Sequence, residues 1–137
     1  MKNRTSIAAL YFVVLVVLAC STGGTEKAGK AVEIFHQRLN NGQFAAIYKE
    51  ASSEFKDSTP ESALEGLLET VKSRLGDVES SKQTSWKHNK STEGDIVTLK
   101  YDVQFSNGEG TEEFMYKIVD DKALLYNYKI NSELLKD

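Results

Sequence analysis

The spacing of apolar residues divides the chain into an N-terminal apolar run, a helical part and a strand part. The apolar run comprises the twelve uncharged residues from Ile7 to Leu18, and the basic residues Lys2 and Arg4 precede it. Twelve residues are fewer than the roughly 20 that a helix needs to span a bilayer. A basic start, a short apolar core and small residues at its end are typical of a secretory signal peptide.

Three helices are predicted after this leader, between residues 28 and 76. In the first, apolar residues recur at spacings of three and four, and Asn41-Gly42 supplies a stop signal. The third has the clearest start, because Pro60 suits a first helical position and Gly76 can end the helix in the left-handed conformation. The three apolar stripes comprise Ala28, Ala31, Val32, Phe35 and Leu39; Phe44, Ile47, Tyr48 and Ala51; and Leu64, Leu67, Leu68, Val71 and Leu75.

The apolar period changes to two after Gly76, which predicts four antiparallel strands with one apolar and one polar face. Turn signals at Asn107-Gly108 and Asp120-Asp121 separate the last three strands, of which the third is predicted at 111–119 and the fourth at 123–131. The positions assigned to the inner face are Thr84, Trp86 and His88; Val97, Leu99, Tyr101, Val103 and Phe105; and Leu124, Tyr126, Tyr128 and Ile130.

Amphipathic helices and strands must bury their apolar faces against one another. The predicted fold is therefore α+β, with three N-terminal helices packed on one side of a four-stranded antiparallel meander sheet. The element order and the segment from Phe35 to Phe44, with an aromatic after a glycine and a polar residue, are similar to the cone-shaped nuclear-transport-factor-two-like fold of the cystatin-like group. The aromatic-rich closing strand resembles the last hairpin of small bacterial lipoproteins with such domains of uncharacterised function. The resemblance covers roughly Glu26 to Ile130.

The only cysteine, Cys20, ends the apolar leader in the sequence Val17-Leu18-Ala19-Cys20. This ending resembles the lipobox of bacterial lipoproteins, which implies cleavage before Cys20, lipidation with palmitate and attachment to the cell envelope. Because Ser21 rather than an aspartate follows, the resemblance implies the outer membrane where the organism has two. The predicted organisation is a signal peptide at 1–19, a lipidated cysteine and tether at 20–27, and a globular domain at 28–137. An uncleaved membrane helix with a free thiol and a chance cysteine are the alternatives.

Charge and length limit the function classes further. Cleavage before Cys20 leaves 118 of the 137 residues, enough for one domain with a core that needs no disulfide. Without Lys2 and Arg4 the chain has 15 basic and 20 acidic residues, a formal net charge of −5. Lysines alternate with acids and form no basic block, which argues against a nucleic-acid partner. Membrane contact is accordingly expected through the lipid on Cys20 alone.

Titratable residues offer few candidates for a site. His36 and His88 are far apart in sequence and have no metal-ligand spacing, so neither a metal site nor a cofactor is predicted. His36 is expected to be partly exposed on the first helix. The acidic pairs Glu112-Glu113 and Asp120-Asp121 lack the spacing of a calcium loop and are expected to be solvated.

Aromatic side chains on the strands form the possible ligand pocket. The similar fold of ketosteroid isomerases implies an alternative function, a small enzyme that uses a carboxylate base and a tyrosine in an apolar cavity. The strand tyrosines supply the donor, but Asp102, Glu113 and Lys117 fall on the polar face, so no base is identified. Cross-strand packing of aromatic residues is the competing interpretation. The pocket residues are Trp86, Tyr101, Tyr116, Tyr126 and Tyr128.

The function expected from these observations is that of a non-catalytic, lipid-anchored envelope protein. Its domain is expected to bind an envelope protein or a small apolar ligand. Weak homodimerisation is the third possibility, because folds of the group often pair through the sheet and the polar face here, Thr98, Lys100, Asp102 and Gln104, suits a wet interface.

Overall fold

The computed structural model describes residues 23–137, so the predictions about the signal peptide and Cys20 lie outside the described residues. In this range four helices precede a four-stranded antiparallel sheet, which confirms the α+β class. The helices are α1 (Gly24–Asn40), α2 (Phe44–Lys49), α3 (Ser53–Ser58) and α4 (Glu61–Leu75). The strands are β1 (Val78–Ser91), β2 (Gly94–Phe105), β3 (Gly108–Val119) and β4 (Lys122–Asn131), followed by a 3-10 turn, Glu133–Leu135.

The prediction of three helices was wrong, because α3 forms an additional helix of six residues. Phe55 is its only buried residue, so the segment has no apolar periodicity. Its start is fixed locally, since the Ser52 hydroxyl accepts a hydrogen bond from the Phe55 amide. A short capped helix of this kind depends on the cap and on one buried aromatic residue.

Helix α1 begins at Gly24, four residues before the predicted start at Ala28. A Cβ atom at Gly24 would lie 2.7 Å from the Cγ1 atom of Ile118 and 3.1 Å from the Cγ2 atom of Val97. Only glycine therefore lets the first turn of α1 approach the sheet this closely. Residues 24–27, predicted as part of a tether, are helical.

The predicted boundaries of α4 are confirmed within one residue. Pro60 is its N-cap residue, and Gly76 ends it with φ of +81°. The buried positions of α4 follow the predicted stripe and comprise Leu64, Leu68, Val71 and Leu75, whereas Leu67 is exposed.

The sheet has the order β1-β2-β3-β4, so β1 and β4 are its edges. The inner face of β2 and β3 packs against α1 and contributes part of the core. Leu99 of β2, for example, pairs with Phe114 of β3, and both are fully buried. On the other side Leu99 pairs with Trp86 of β1, which is 61% exposed. The prediction that one face of β1 is buried was wrong, because every residue of this strand is exposed except the half-buried Val78 and His88.

A β-bulge changes the inner face of β4. Met115 pairs with Asn127 and Tyr116 pairs with Leu125, which leaves Tyr126 without a partner in the ladder. Leu125 and Tyr128 face the core, so the predicted alternation is confirmed at Tyr128 and Ile130 and was wrong at Leu124 and Tyr126.

The free side of β4 is partly occupied by the segment between α2 and α3. Ala51 forms a parallel bridge with Leu125, and the Ser52 amide donates a 2.8 Å hydrogen bond to the Leu125 carbonyl. Within residues 23–137 no helix is both long and apolar enough to cross a membrane.

Candidate functional site

A buried polar cluster lies in the core between α1 and the sheet. Glu112 of β3 is 2% exposed, and its Oε1 atom lies 2.6 Å from Nε2 of His36. The Tyr128 hydroxyl donates a hydrogen bond to the other carboxylate oxygen, Oε2. We refer to Glu112, His36 and Tyr128 as the Glu112 cluster.

Three different elements position these groups. Glu112 shares its strand face with Phe114 and Tyr116, because residues two apart on a strand point to the same side. His36 lies on the buried face of α1, one turn after Val32. Tyr128 comes from β4, where it pairs with the buried Phe114.

Two expectations about this cluster were wrong. Glu112 was expected to be a solvated turn or strand-edge charge, and His36 was expected to be partly exposed, yet both are buried. The burial of Glu112 could have been predicted from the sequence, since Glu112, Phe114 and Tyr116 are two residues apart and therefore lie on the same face of the strand. The signal for His36 was its position beside Phe35 on the apolar stripe of α1.

Aromatic rings surround the cluster. Phe114 lies at their centre, with its ring centroid 5.0 Å from that of Phe35, 5.2 Å from that of Tyr128 and 5.9 Å from that of Tyr101. Tyr116 stacks on it at 6.0 Å. The carboxylate therefore lies in low-dielectric surroundings, where hydrogen bonds to a charged group are strong and unpaired charges are costly.

The buried tyrosines have raised pKa values. Burial raises the pKa of Tyr128 well above its usual value of 10.0, and the Glu112 charge and hydrogen bond raise it further. Burial, with the Glu112 charge, does the same to the pKa of Tyr116. The pKa of Tyr101 is raised by burial and by Glu33. At neutral pH these phenols are protonated, and those of Tyr128 and Tyr101 donate hydrogen bonds to Glu112 and Gln83.

The cluster combines a carboxylate with a phenol donor, which are groups that proton transfer uses. It is closed, because the Glu112 side chain has no exposed area and that of His36 is 9% exposed. Among residues 23–137 every fully buried side-chain polar atom has a hydrogen-bond partner. In this arrangement the cluster is a satisfied polar network within the core.

The structure brings together three of the five residues predicted to form a ligand pocket. Tyr101, Tyr116 and Tyr128 surround Phe114 and are buried. Trp86 is exposed on β1, and Tyr126 is half-buried at the β4 bulge. No group of three or more potential metal ligands occurs in the described part of the chain.

An open cleft of about 220 Å³ lies between α1, α2 and the end of the sheet. We call it the α1–α2 cleft. Two charged residues, Arg38 of α1 and Glu50 at the end of α2, line it together with apolar side chains. Tyr116 and Phe35 form its floor and connect it to the aromatic core. Its remaining lining residues are Ala31, Ile34, Ile47, Ala123 and Leu125.

Arg38 is the cationic group of this cleft. It is half-buried, and one of its Nη1 protons is directed to the Ala46 carbonyl of α2 at 3.5 Å. Within residues 23–137 no carboxylate oxygen lies within 4.0 Å of its guanidinium nitrogens. Sequence reasoning missed Arg38, because a single basic residue on a helix carries no pattern.

Comparison with families of known proteins gives a match. A family model described as "Protein of unknown function (DUF4019)" matches residues 31–126, which is more than half of the chain. The matched range contains His36, Arg38, Glu50 and Glu112 and ends two residues before Tyr128. A search of curated proteins found no match.

Proposed function

The chain belongs to the DUF4019 family, and on this premise we propose that it is a lipid-anchored, non-catalytic protein of the bacterial cell envelope. Its domain binds a small ligand or a side chain of an envelope protein in the α1–α2 cleft. The observation that carries the proposal is a contrast between two sites: the α1–α2 cleft is open, whereas the Glu112 cluster is sealed.

The anchor rests on the leader sequence and on Cys20. Four residue steps separate Cys20 from Gly24, where α1 begins, and they span at most roughly 14 Å. The lipid would therefore hold the N-terminal end of α1 close to the membrane. The turn between β3 and β4 lies at the same end, since Lys27 forms a 2.6 Å ion pair with Asp121.

Metabolic labelling with palmitate tests the anchor. The wild-type protein is expected to carry the label and to fractionate with the outer membrane in a two-membrane organism. Cys20→Ala is expected to lose the label and to retain the leader, and Ser21→Ala serves as the matched control. Equal labelling of Cys20→Ala and wild type would contradict the anchor.

The size of the cleft defines what it can hold. Pockets for drug-sized ligands usually measure about 300–1,000 Å³, and the α1–α2 cleft, at about 220 Å³, is smaller. One anchor side chain of a partner or a ligand of similar size would fill it. Ile34, at the rim, is 45% exposed and would be covered by such an occupant.

Photo-crosslinking in intact cells tests the use of the cleft. A photoreactive phenylalanine analogue at Ile34 is expected to crosslink to a discrete partner protein. If the cleft instead holds a small ligand, the analogue is expected to crosslink to that ligand, and added ligand should reduce the yield. The same analogue at the exposed Ser73 of α4 is the control. Identical adducts at both positions, or adducts at Ser73 alone, would contradict the proposal.

We also propose the finer architectural assignment, a cone-like nuclear-transport-factor-two-like arrangement with weak self-association through the sheet. Support comes from the order of helices and hairpins and from the polar face of β2, on which Lys100, Asp102 and Gln104 are exposed. Light scattering of the purified protein over a range of concentrations tests the self-association. A mass that stays monomeric at every concentration removes it.

A second candidate function, a small isomerase-like enzyme, is favoured by one observation. Glu112 supplies the buried carboxylate that the sequence did not reveal, and Tyr128 supplies the adjacent donor. Proton transfer would require an opening of the core, because the Glu112 side chain is sealed. Conversion of an unconjugated to a conjugated cyclic enone, abolished in Glu112→Gln, would support the enzyme. No conversion above buffer by the wild type would exclude that reaction.

A further inference from the structure

We infer that the α1–α2 cleft recognises a small zwitterion with an apolar side chain, an α-amino acid of about the size of leucine. This inference rests on the proposed ligand-binding function and names its ligand class. It is based on two oppositely charged residues, Arg38 and Glu50, which line one small cleft together with apolar side chains.

Arg38 provides the site for a carboxylate. A guanidinium has five N–H donors in a planar fork that fits a carboxylate with two parallel hydrogen bonds. The contact of Arg38 with the Ala46 carbonyl is long, at 3.5 Å, and uses only one donor. The remaining donors have no carboxylate partner among the described residues. Because Arg38 is half-buried, an anion bound there would be less screened than at an exposed arginine.

Glu50 provides the site for an ammonium group. It follows Ala46 by four residues at the end of α2, and residues four apart lie on the same face of a helix. The Ala46 carbonyl accepts hydrogen bonds from the Glu50 amide at 3.3 Å and from Arg38 at 3.5 Å, so Arg38 and Glu50 meet at the end of α2. The guanidinium nitrogens of Arg38 and the carboxylate oxygens of Glu50 are more than 4.0 Å apart, so among the described residues the two form no ion pair, although both line the same cleft.

The volume and the wall of the cleft determine the rest of the ligand. A volume of about 220 Å³ corresponds to roughly seven water molecules at about 30 Å³ each, and so to a ligand of few non-hydrogen atoms. Ile34, Ile47 and Leu125 line the cleft beside the charges and would contact an aliphatic side chain. Binding would bury part of the exposed Ile34 surface.

Ligands with one charge fit less well. A simple carboxylate would pair with Arg38 and bring a negative charge near Glu50. A simple amine would pair with Glu50 and bring a positive charge near Arg38. An amine would leave the half-buried Arg38 without an anionic partner, and a carboxylate would gain no attraction from the exposed Glu50. A free amino acid satisfies both groups with charges only one carbon apart.

Equilibrium dialysis with three radiolabelled probes of the same shape tests the inference on the full protein in lipid nanodiscs. The probes are leucine, isocaproate, which lacks the ammonium group, and isoamylamine, which lacks the carboxylate. Leucine is expected to bind more tightly than either by about tenfold or more. Arg38→Gln and Glu50→Gln are each expected to weaken leucine binding by a similar factor. Arg38→Gln should abolish the advantage of leucine over isoamylamine, and Glu50→Gln should abolish its advantage over isocaproate.

The matched controls are Arg74→Gln and Glu69→Gln, which remove the same charges from α4, away from the cleft, and are expected to leave binding unchanged. Thermal unfolding of each variant shows whether it is folded. If isocaproate binds as tightly as leucine and Glu50→Gln has no effect, the inference is wrong while the cleft remains a binding site. If no probe binds, the inference is wrong, and the crosslinking at Ile34 decides separately whether the proposed function survives.

Discussion

The domain contains two histidine–carboxylate pairs, one in the core and one at the edge of the sheet. His36 and Glu112 have side chains that are 9% and 0% exposed, whereas His88 and Asp95 are 20% and 30% exposed. Both carboxylates lie on strands, and both pairs join an imidazole Nε2 to one carboxylate oxygen. The difference is that α1 and β4 enclose the first pair, whereas the second joins the edge strand β1 to β2 and is partly exposed.

The elements that cover a histidine–carboxylate pair, rather than the chemistry of the pair, therefore determine how much it contributes to the free energy of unfolding. In a buried pair each group has lost its hydration, so removing one partner leaves the other uncompensated. At a partly exposed pair water replaces the lost partner, and the net contribution is small. The sealed Glu112 cluster is therefore expected to govern folding stability, and His88–Asp95 is not.

The largest effect is expected for Glu112→Ala. The change leaves the Tyr128 hydroxyl and His36 without their partner in the core and should lower the free energy of unfolding by about 3–5 kcal/mol. Urea titration followed by circular dichroism measures it. Asp95→Ala is the matched control at the edge. A loss below about 1 kcal/mol for Glu112→Ala would show that water reaches the cluster.

Alkaline pH should act selectively on the covered region. The pKa values of Tyr116 and Tyr128 are raised above 10.0 in the folded state, so these phenols bind protons more tightly there than in the unfolded chain. Stability is consequently unaffected by them below pH 10 and falls as the pH rises above it. Tyr128→Phe should make this fall shallower.

Simultaneous records of phenolate absorbance and circular dichroism measure the alkaline effect. The buried phenols should ionise only together with unfolding. Complete phenol ionisation while the circular dichroism spectrum stays native would show that solvent reaches the aromatic core, and would contradict the distinction between a sealed core and an exposed edge.

A small effect is expected at the edge of the sheet. His88→Ala removes the partner of Asp95 from a half-exposed pair and should change the free energy of unfolding by about 0–1 kcal/mol. The same urea titration measures it, with His36→Ala as the counterpart in the core. If the two histidine variants lose equal stability, the distinction between the regions fails.

The smallest effect concerns Glu54 and Lys117, an exposed contact between α3 and β3. The hydrogen bond from Lys117 lowers the pKa of Glu54 from 4.5 to about 2. A lowered pKa means that this pair contributes stability above pH 4.5 and loses the contribution as the pH falls toward 2. The difference in urea midpoint between Glu54→Gln and wild type should therefore shrink over that range. If the difference in urea midpoint is the same at pH 7 and pH 2, the ion pair of Glu54 with Lys117 does not contribute to stability.

The sequence predicted those features that local chemistry determines. Pro60 and Gly76 bracket α4 because proline and glycine restrict the backbone at helix ends. Asp120 and Asp121 form the turn between β3 and β4 with φ of +48° and +63°, left-handed values that aspartate tolerates. The α+β class followed from the change of apolar period after Gly76.

Features that depend on partners in space were not predicted. Alternation in β1 is the same whether or not a helix covers the strand, so the exposure of Trp86 could not be read from it. The bulge at Tyr126 arises from the register between β3 and β4. Glu112 had the parity of a buried position, but without knowledge of His36 and Tyr128 an acidic residue there is more simply assigned to solvent.

The bridge of Ala51 and Ser52 to Leu125 has a consequence for how these molecules behave when crowded together. An open sheet with two free edges can grow into a fibre, because each added strand exposes another template. Here a strand approaching β4 would first have to displace the Ser52 amide from the Leu125 carbonyl. The other edge, β1, carries three lysines and two register irregularities, which discourage flat pairing. With both edges obstructed in this way, the domain is protected from polymerising through its sheet at high local concentration.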